Sequence, residues 1–241
     1  MTPTLQIDHL GVAYDAQPVL QGIDLHLQRG EFVALLGPNG SGKTTSLRCI
    51  AGILAPASGH VRIVGVDLAH FPREAKMQLG FAIDPNVLPD LLTGRECLAL
   101  FAGARGLPGI PPDSLALAET LALTPMLDRR IGGYSLGTRQ KLGIALGLLG
   151  QPPLLVLDEP LNGLDPVSAY RLKQHLRERV RAHGDTVLLA THSLDVAQRF
   201  VDRAVLLLDG RVRRQWDTAE LDAIRDDPSG SLERSMVEAL A

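Results

Sequence analysis

The segment GPNGSGKTT at residues 37–45 constrains the fold of this chain more than any other stretch. It fits the pattern G-x-x-x-x-G-K-[S/T], in which glycines let the backbone curl until consecutive N–H groups point at phosphate oxygens. The pattern needs a strand before it and a helix after it. The apolar run Phe32–Leu36 and the amphipathic segment TTSLRCIAGIL meet that need. The sequence therefore predicts a phosphate-binding loop (P-loop) in an α/β fold, and a simple glycine turn is the alternative.

The residue types in this loop predict the part that each one takes. The Lys43 amine can reach the β- and γ-phosphates of a nucleotide, and the Thr44 hydroxyl can ligate Mg²⁺. The helix that starts here adds free N–H groups and the positive end of its dipole. The predicted nucleotide-binding residues of the loop are Gly37, Pro38, Asn39, Gly40, Ser41, Gly42, Lys43, Thr44 and Thr45.

Other apolar runs indicate a mostly parallel sheet covered by helices. LLVLD begins at residue 154, TVLLAT at 186 and AVLLLD at 204, and each run is apolar on both faces. By contrast, LQIDHLGVAY alternates as a half-buried strand does, and GIDLHLQRGEFVALLG is interpreted as a hairpin leading into Phe32–Leu36. HVRIVG is predicted as a further strand. Residues 91–149 interrupt these strands with an almost wholly helical pattern, broken by GLPGIPPD near residue 108.

An acidic pair closes the strand LLVLDEP at residues 154–160. Ligands of open α/β sheets bind at the carboxyl ends of the strands, where this pair is expected to lie. Asp158 is predicted to hold Mg²⁺, as the corresponding carboxylate does in P-loop NTPases. Glu159 is placed to orient and polarise an attacking water. The alternative is an ordinary Asp-Glu turn at a strand end.

The stretch GGYSLGTRQK at residues 132–141 has no carboxylate, histidine or thiol, yet it precedes an apolar helix. YSLGTRQKLGIALGLL, directly before the acidic strand, resembles the signature segment L-S-G-G-Q of the ATP-binding cassette (ABC) family. Tyr134 stands in place of the leucine and Thr138 in place of the glutamine, as in the Y-S-x-G-x-x-Q version of many exporter ATPases. Free N–H groups at Ser135 and Gly137 would attract an anion. A plain helix cap at Ser135 is the alternative.

The resemblance extends over essentially the whole chain and implies roles for further residues. Tyr14 matches the aromatic residue that stacks on adenine, with a core tyrosine as the alternative. Asp165, in LNGLDP, matches the acidic residue of the D-loop, which crosses a dimer interface. His192, in LLATHSLD, matches the switch histidine that contacts the γ-phosphate. In this family Ser135 and Gly137 contact the ATP that is bound to the other subunit.

The fold that the resemblance implies is α/β: a P-loop NTPase core with a mostly parallel sheet, an N-terminal antiparallel β subdomain and an inserted α-helical subdomain. One ABC ATPase domain would span residues 1–241, with the helical subdomain at about 86–149 and a C-terminal extension at about 215–241. The segment GSLERSMVEAL resembles the short closing helix of such subunits.

One position departs from the family pattern. Asp84, in LGFAIDPNVLP, stands where the family has the Q-loop glutamine, and Gln78 comes six residues too early and is expected to lie ahead of the strand. Many similar exporter ATPases carry a glutamate there, so an acidic ligand for Mg²⁺ is compatible with the family. The alternative is that Asp84, followed by Pro85 and Asn86, starts a turn.

Composition excludes several other classes. The net charge of −3 argues against a nucleic-acid-binding surface, and the basic runs Arg129-Arg130 and Arg211–Arg214 are interpreted as solvated edges. Cys49 and Cys97 lie in apolar helical contexts, which indicates buried thiols in a reducing compartment. The sequence shows neither a secretion signal nor an apolar run long enough to span a bilayer. The expected location is the cytoplasmic face of the cell membrane, through a separate permease.

The function implied is ATP hydrolysis that powers transport through a membrane subunit, with ATP and Mg²⁺ bound between two ATPase subunits. Glu159, His192 and Lys43 would be catalytic, and Thr44, Asp158 and Asp84 would hold the metal. A soluble ABC ATPase acting as a motor or clamp is the competing class. Its usual signs, two cassettes in one chain or a long coiled-coil insertion, are missing. A P-loop kinase or GTPase would leave YSLGT and His192 unexplained.

Overall fold

The computed structural model describes residues 2–15, 17–227 and 230–240. Four strands of the described chain are Leu5–Tyr14 (β1), Gln17–Leu27 (β2), Ser58–Ile63 (β4) and Val66–Asp67 (β5). Six more are Phe32–Leu36 (β3), Leu79–Phe81 (β6), Leu154–Asp158 (β7), Thr186–Thr191 (β8), Arg203–Leu208 (β9) and Arg211–Trp216 (β10). The first set forms an antiparallel sheet in the order β2-β1-β4-β5, and the second a sheet in the order β10-β9-β3-β8-β7-β6. All neighbours in the second sheet are parallel except β9 and β10.

The helices of the described chain are Lys43–Ile50 (α1), Pro72–Met77 (α2), Gly94–Ala104 (α3), Pro112–Thr120 (α4), Leu136–Gly147 (α5), Pro166–Glu178 (α6), Leu194–Phe200 (α7), Thr218–Asp226 (α8) and Leu232–Leu240 (α9). Short 3₁₀ turns occupy Pro85–Val87, Thr124–Met126 and Ile131–Gly133, and a π-helical turn at Arg179–His183 extends α6. None of these helices is long and apolar enough to cross a bilayer.

Both faces of the parallel sheet are buried. Along β3, Phe32, Ala34 and Leu36 face one hydrophobic core, which includes the helices of residues 86–149. Val33 and Leu35 face a second core, which the antiparallel sheet and α1 cover. Strands apolar on both faces are what such a layered fold requires. The predicted fold class is therefore confirmed, and the inserted helices α3, α4 and α5 lie in the segment that we call the helical block (residues 86–149).

One local prediction is wrong and two others are right in kind but not in their bounds. β2 and β3 do not form a hairpin, because β2 pairs with β1 and β3 lies in the other sheet. The strand predicted as HVRIVG covers residues 58–63, since Val64 and Gly65 both adopt positive φ in the tight turn to β5. α1 ends at Ile50 rather than running to Leu54. Gly52 has φ of +61°, and the Ile53 N–H donates to the Arg48 carbonyl, which closes the helix end.

Glycines bring α5 against the segment that leads to Asp84. A Cβ on Gly143 would lie 2.3 Å from the Ile83 carbonyl oxygen, and one on Gly147 would lie 2.7 Å from Ala82 Cα. The Ile83 N–H donates to the Gly143 carbonyl at 3.2 Å. The helix that follows the signature segment is thus in backbone contact with residues 82–83, an approach that side chains would prevent.

The two cysteines behave as the sequence indicates. Cys49 and Cys97 are free and buried, and burial raises the pKa of each thiol to about 11. The prediction of buried thiols is confirmed. Such thiols are protonated at neutral pH and therefore unreactive.

The C-terminal segment packs on the core. The Trp216 indole N–H donates to Ser235 Oγ at 2.8 Å, and the Leu232 N–H donates to the Gln198 side-chain carbonyl at 3.1 Å. The predicted closing helix is α9. The extension predicted at about 215–241 includes Pro228, Ser229 and Ala241, which lie outside the described residues.

Candidate functional site

The P-loop lies between β3 and α1, at the carboxyl edge of the parallel sheet. Its path depends on glycine at two points. Gly42 precedes α1 with φ of +105°, and a Cβ there would lie 2.6 Å from Leu20 Cδ2. A Cβ on Gly37 would lie 2.3 Å from the Leu207 carbonyl oxygen. With these glycines, the unpaired N–H groups of the first turn of α1 face the space over the loop.

A cavity of about 220 Å³ lies over this loop. Its lining brings most of the predicted loop residues together with the acidic pair: Val19, Pro38, Asn39, Gly40, Gly42, Lys43, Thr44, Thr45, Asp158 and Glu159. Lys43 is buried, and its Nζ donates to the carbonyl oxygens of Gly37 at 2.6 Å and Pro38 at 3.2 Å. The ammonium group is thus held at the mouth of the loop, where a phosphate oxygen would replace a carbonyl.

The hydroxyl and carboxylate predicted to hold Mg²⁺ are already in contact. Thr44 Oγ1 donates to Asp158 Oδ2 at 2.7 Å. Burial raises the pKa of Asp158, the neighbouring Glu159 adds to that rise, and the Thr44 hydrogen bond opposes it. Lys43 and Arg48 compensate this charge only in part, so a hard cation with oxygen ligands would stabilise the ionised carboxylate further. The donor set therefore fits Mg²⁺.

Glu159 and His192 meet at the ends of two adjacent strands. β7 and β8 are parallel neighbours with Asp158 opposite Ala190, so the residues that follow them emerge side by side. His192 Nδ1 lies 2.9 Å from Glu159 Oε1. Glu159 has φ of +43°, a left-handed conformation uncommon for a residue with a side chain. The Glu159 N–H donates to the Ala190 carbonyl at 3.0 Å, which holds this backbone in place.

Tyr14 is 47% exposed at the end of β1, so the alternative of a core tyrosine is wrong. It pairs with Gln17 on β2, and Val19, two residues further along β2, lines the cavity. An exposed ring on this hairpin is free to stack on a nucleotide base. Val19 is not predictable as a site residue from the sequence, because a valine in a strand carries no chemical signal.

The signature segment lies apart from these groups. Ser135 caps α5: its Oγ accepts from the Thr138 N–H at 3.2 Å and lies 2.8 Å from the Thr138 hydroxyl. The predicted helix cap is therefore present. Ser135 and Leu136 are exposed, and Ser135 and Gly137 do not belong to the described lining of the P-loop cavity. The start of α5 thus presents its N–H groups to the surface.

The start of α5 also touches the D-loop. A Cβ on Gly137 would lie 2.5 Å from the Gly163 carbonyl oxygen, so only glycine fits there without a shift. Gln140 is buried, and its Nε2 donates to the Pro160 carbonyl, one residue after Glu159. Gln140 and Gly163 are not among the residues predicted from the sequence. The motifs that contain them could have indicated both: Gln140 is the glutamine of Y-S-x-G-x-x-Q, and Gly163 is the glycine of LNGLDP.

In the described chain, the Asp165 carboxylate caps a helix and pairs with a lysine. Its Oδ1 accepts from the Ser168 N–H at 2.9 Å, which caps α6, and its Oδ2 lies 2.9 Å from Lys141 Nζ on α5. The Ser168 hydrogen bonds, with help from Lys141, hold the pKa of Asp165 far below its ordinary value. A contact of this residue with nucleotide stays a prediction.

Asp84 starts a turn. Its Oδ1 accepts from both the Asn86 N–H and the Asn86 side-chain amide, each at 2.9 Å, ahead of the 3₁₀ turn Pro85–Val87. This is the geometry that the turn alternative predicts, and Asp84 is exposed outside the described lining of the P-loop cavity. Gln78 ends α2 directly before β6, as predicted. A metal-binding role for Asp84 stays a prediction.

Comparisons with known proteins agree with this arrangement. A family model described as ABC transporter matches residues 20–162. Nod factor export ATP-binding protein I of Ralstonia nicotianae is 34% identical over 222 residues, covering 91% of this chain and 69% of that protein. A solved ATP-binding subunit of an ABC transporter superimposes with a TM-score of 0.87 at 34% identity, covering 99% of this chain and 100% of that one. The dimeric ATP-binding cassette MJ0796, in a post-hydrolysis state with ADP and Pi, superimposes with a TM-score of 0.81 at 25% identity. The match covers 89% of this chain and 98% of that one.

Proposed function

The chain belongs to the ABC transporter family as one of its ATP-binding subunits, an ATPase, and we propose that it powers export through a separate membrane subunit by closing and reopening a dimer around ATP. A relative named for Nod factor export, which matches 91% of this chain, supports the proposed direction of transport. The proposed location, the cytoplasmic face of the membrane through that membrane subunit, follows from the same role.

The exposed start of α5 carries the dimer proposal. Ser135 and Gly137 offer N–H groups and the positive end of a helix dipole, and this end opens on the surface rather than on the P-loop cavity of the same chain. A second subunit placed head to tail would bring its ATP γ-phosphate to this helix end. The segment needs no catalytic residue, because it completes a site whose chemistry the partner supplies.

Within each site, the roles of this chain's own side chains follow from their contacts. Glu159 polarises the water that attacks the γ-phosphate and accepts a proton from it. His192 contacts the Glu159 carboxylate, and in the proposed mechanism it donates to a γ-phosphate oxygen. Lys43 exchanges its carbonyl contacts for phosphate oxygens. Mg²⁺ held by Thr44 and Asp158 would neutralise the charge that develops on the phosphates.

An exposed apolar surface after Asp84 supports the proposed contact with the membrane subunit. Val87 is 70% exposed and Leu91 is 81% exposed, at the start of the helical block. The backbone contact between Gly143 and Ile83 joins this segment to α5. A shift of α5 when its first turn meets ATP would therefore move the segment that presents Val87 and Leu91.

Trapping the closed dimer tests the ATP-driven step. With ATP and Mg²⁺, the Glu159→Gln protein should elute as a dimer in size-exclusion chromatography, because ATP is bound but not consumed. Adding Ser135→Arg in the same chain should return it to a monomer, while Arg181→Ala, an exposed substitution on the π-helical turn, should leave the dimer intact. A Glu159→Gln protein that stays monomeric at saturating ATP would contradict the proposal.

Co-purification tests the transport role against the competing soluble motor or clamp. The chain would be expressed with each multi-helix membrane protein that a neighbouring gene is found to encode. Val87→Glu with Leu91→Glu should abolish co-purification, and Val237→Glu, at a residue of α9 that is 58% exposed, should not. ATP hydrolysis by the isolated double variant should match wild type. A chain that never co-purifies would favour the soluble class.

A further inference from the structure

A second cavity, of about 250 Å³, lies between the helical block and the core. Asp113 and Ser114 contribute from α4, Gln151 from the loop after α5, and His175, Arg179 and His183 from α6 and its π-helical turn. It shares no lining residue with the P-loop cavity among the described residues. The ATPase account uses none of these side chains.

Arg179 is the unusual residue of this cavity. Its side chain is 9% exposed, and its Nε donates to Asp185 Oδ2 at 2.5 Å. Its Nη2 is buried and has no hydrogen-bond partner among the described residues. A buried guanidinium N–H without an acceptor carries its full desolvation penalty, so this position favours an acceptor that the described chain does not provide.

Two imidazoles flank the guanidinium. His175 lies on α6, four residues before Arg179, and His183 lies four residues after Arg179 at the end of the π-helical turn, a geometry frequent at functional sites. Burial lowers the pKa of His175, and the nearby Arg179 and His183 add to that effect, so the ring is neutral at pH 7. Asp113 and Asp185 also face His175 and oppose the shift. Asp113 itself accepts from the Gln151 side-chain amide.

We propose that this cavity binds a small oxyanion, phosphate or carboxylate, whose oxygens accept hydrogen bonds from Arg179, His175 and His183. The remaining wall is mostly apolar, with Pro111, Leu117 and Leu148 beside Thr120, so the cavity accepts at most a small anion with a short apolar body. Because Asp185 balances the Arg179 charge and Asp113 adds a second carboxylate to the cavity, a bound anion is favoured when His175 takes up a proton. Binding therefore tightens as the pH falls from 7.5 to 6.

The position of the cavity gives the anion a structural consequence. α4 belongs to the helical block and α6 to the core, and the described contacts between them include Arg171 Nη1 donating to the Thr120 carbonyl at 3.3 Å. An anion held by α6 in a cavity walled by α4 adds a second link between these parts. Occupancy should make the helical block harder to move relative to the core.

Histidine NMR tests the site directly. The protein would be saturated with Mg²⁺ and ADP, so that the P-loop is filled, and the His175 and His183 ring signals followed during titration with inorganic phosphate and, separately, with butyrate. We expect saturable shifts of both rings with at least one of these anions, tighter at pH 6 than at pH 7.5. The anion that binds more tightly distinguishes a phosphate source from a carboxylate source.

Two variants and a control keep the test decisive. Arg179→Lys preserves the pair with Asp185 but removes the free Nη2, and His183→Ala alters an exposed residue that the fold does not need. Each should weaken binding about tenfold or more, the effect of one hydrogen bond to a charged group. Arg181→Ala, exposed on the same turn, should bind as wild type. Linear shifts without saturation, or equal weakening in Arg181→Ala, would overturn the proposal and leave a cavity that holds only water.

Discussion

At the P-loop, the reactive side chains contact other groups of the same chain, whereas at the start of α5 the helix end opens on the surface. Lys43 is held by two loop carbonyls, Thr44 by Asp158, and Glu159 by His192. Among the described residues, the Ser135 side chain bonds only to Thr138, within its own helix turn. The P-loop region is arranged for chemistry, whereas the start of α5 is arranged to contact a ligand from outside the chain. A single chain would therefore supply half of one ATP site with its P-loop and half of another with α5.

The largest expected effect separates chemistry from binding at the P-loop. Glu159→Gln should lower the ATP hydrolysis rate by about 10²–10⁴-fold, the usual contribution of a positioned base, while ATP affinity is kept. Single-turnover hydrolysis and equilibrium binding would be measured on the same preparation. Glu178→Gln, at an exposed glutamate at the end of α6, is the control and should hydrolyse ATP normally. Equal losses in rate and affinity would show that Glu159 binds nucleotide instead.

The contact between the start of α5 and the D-loop gives the next effect. Gly137→Ala places a methyl group 2.5 Å from the Gly163 carbonyl, so the start of α5 or the D-loop must shift. Overpacking of this kind costs about 1–3 kcal/mol, and we expect turnover to fall by about tenfold or more. Gly133→Ala is the matched control, because a Cβ there meets nothing within 4 Å. Indistinguishable ATPase rates for the two variants would show that the contact between α5 and the D-loop does not influence turnover.

Asp84 should show a smaller effect. If its carboxylate joins the metal ligands when the dimer closes, Asp84→Asn raises the Mg²⁺ concentration needed for half-maximal hydrolysis by a few-fold, whereas Asp84→Gln keeps an oxygen ligand with longer reach. Asn also preserves the turn that Asp84 makes with Asn86. Superimposable Mg²⁺ titrations for wild type and both variants would establish Asp84 as a turn residue only.

The smallest effect is on stability. The pKa of Asp158 is raised in the folded chain, so its ionised form disfavours folding, and the nucleotide-free protein should lose stability as the pH rises through that pKa. Asp158→Asn retains an acceptor for Thr44 and removes this loss. Its Tm without nucleotide at pH 7 should equal or slightly exceed that of wild type, although Mg²⁺-dependent hydrolysis is lost. A clearly lower Tm would mean that the Asp158 charge stabilises the empty site.

The sequence was most informative where a residue's own chemistry or its apolar pattern decides the structure. The strands that are apolar on both faces predicted the layered fold. Lys43, Asp158 and His192 each lie at or after the end of an apolar strand, which predicted that they share the carboxyl edge of the sheet. It was least informative where tertiary contacts decide. The partner of β2 depends on sheet order, and the end of α1 depends on the left-handed Gly52. The positive φ of Glu159 and the Gly137–Gly163 approach are backbone properties that no side-chain pattern predicts.

The central claim, that each signature segment completes the other subunit's site, is tested by counting trapped ATP in mixed dimers built on Glu159→Gln. One mixed dimer combines a Ser135→Arg chain with a Lys43→Ala chain. In our account both changes fall on one site, so the other site stays whole and the dimer retains one ATP. If Ser135 instead served the P-loop of its own chain, both sites would be damaged and no ATP would be retained.

The reciprocal dimer places both changes in one chain and neither in its partner. If each signature segment completes the other subunit's site, each site then contains one damaged component and no ATP is retained. If Ser135 served the P-loop of its own chain, the unchanged chain would keep an intact site and one ATP would be retained. Both dimers carry the same substitutions and differ only in how these are distributed, so general loss of stability cannot produce the difference. One ATP in the first dimer and none in the second supports the exchange of sites, and the reverse result would contradict it.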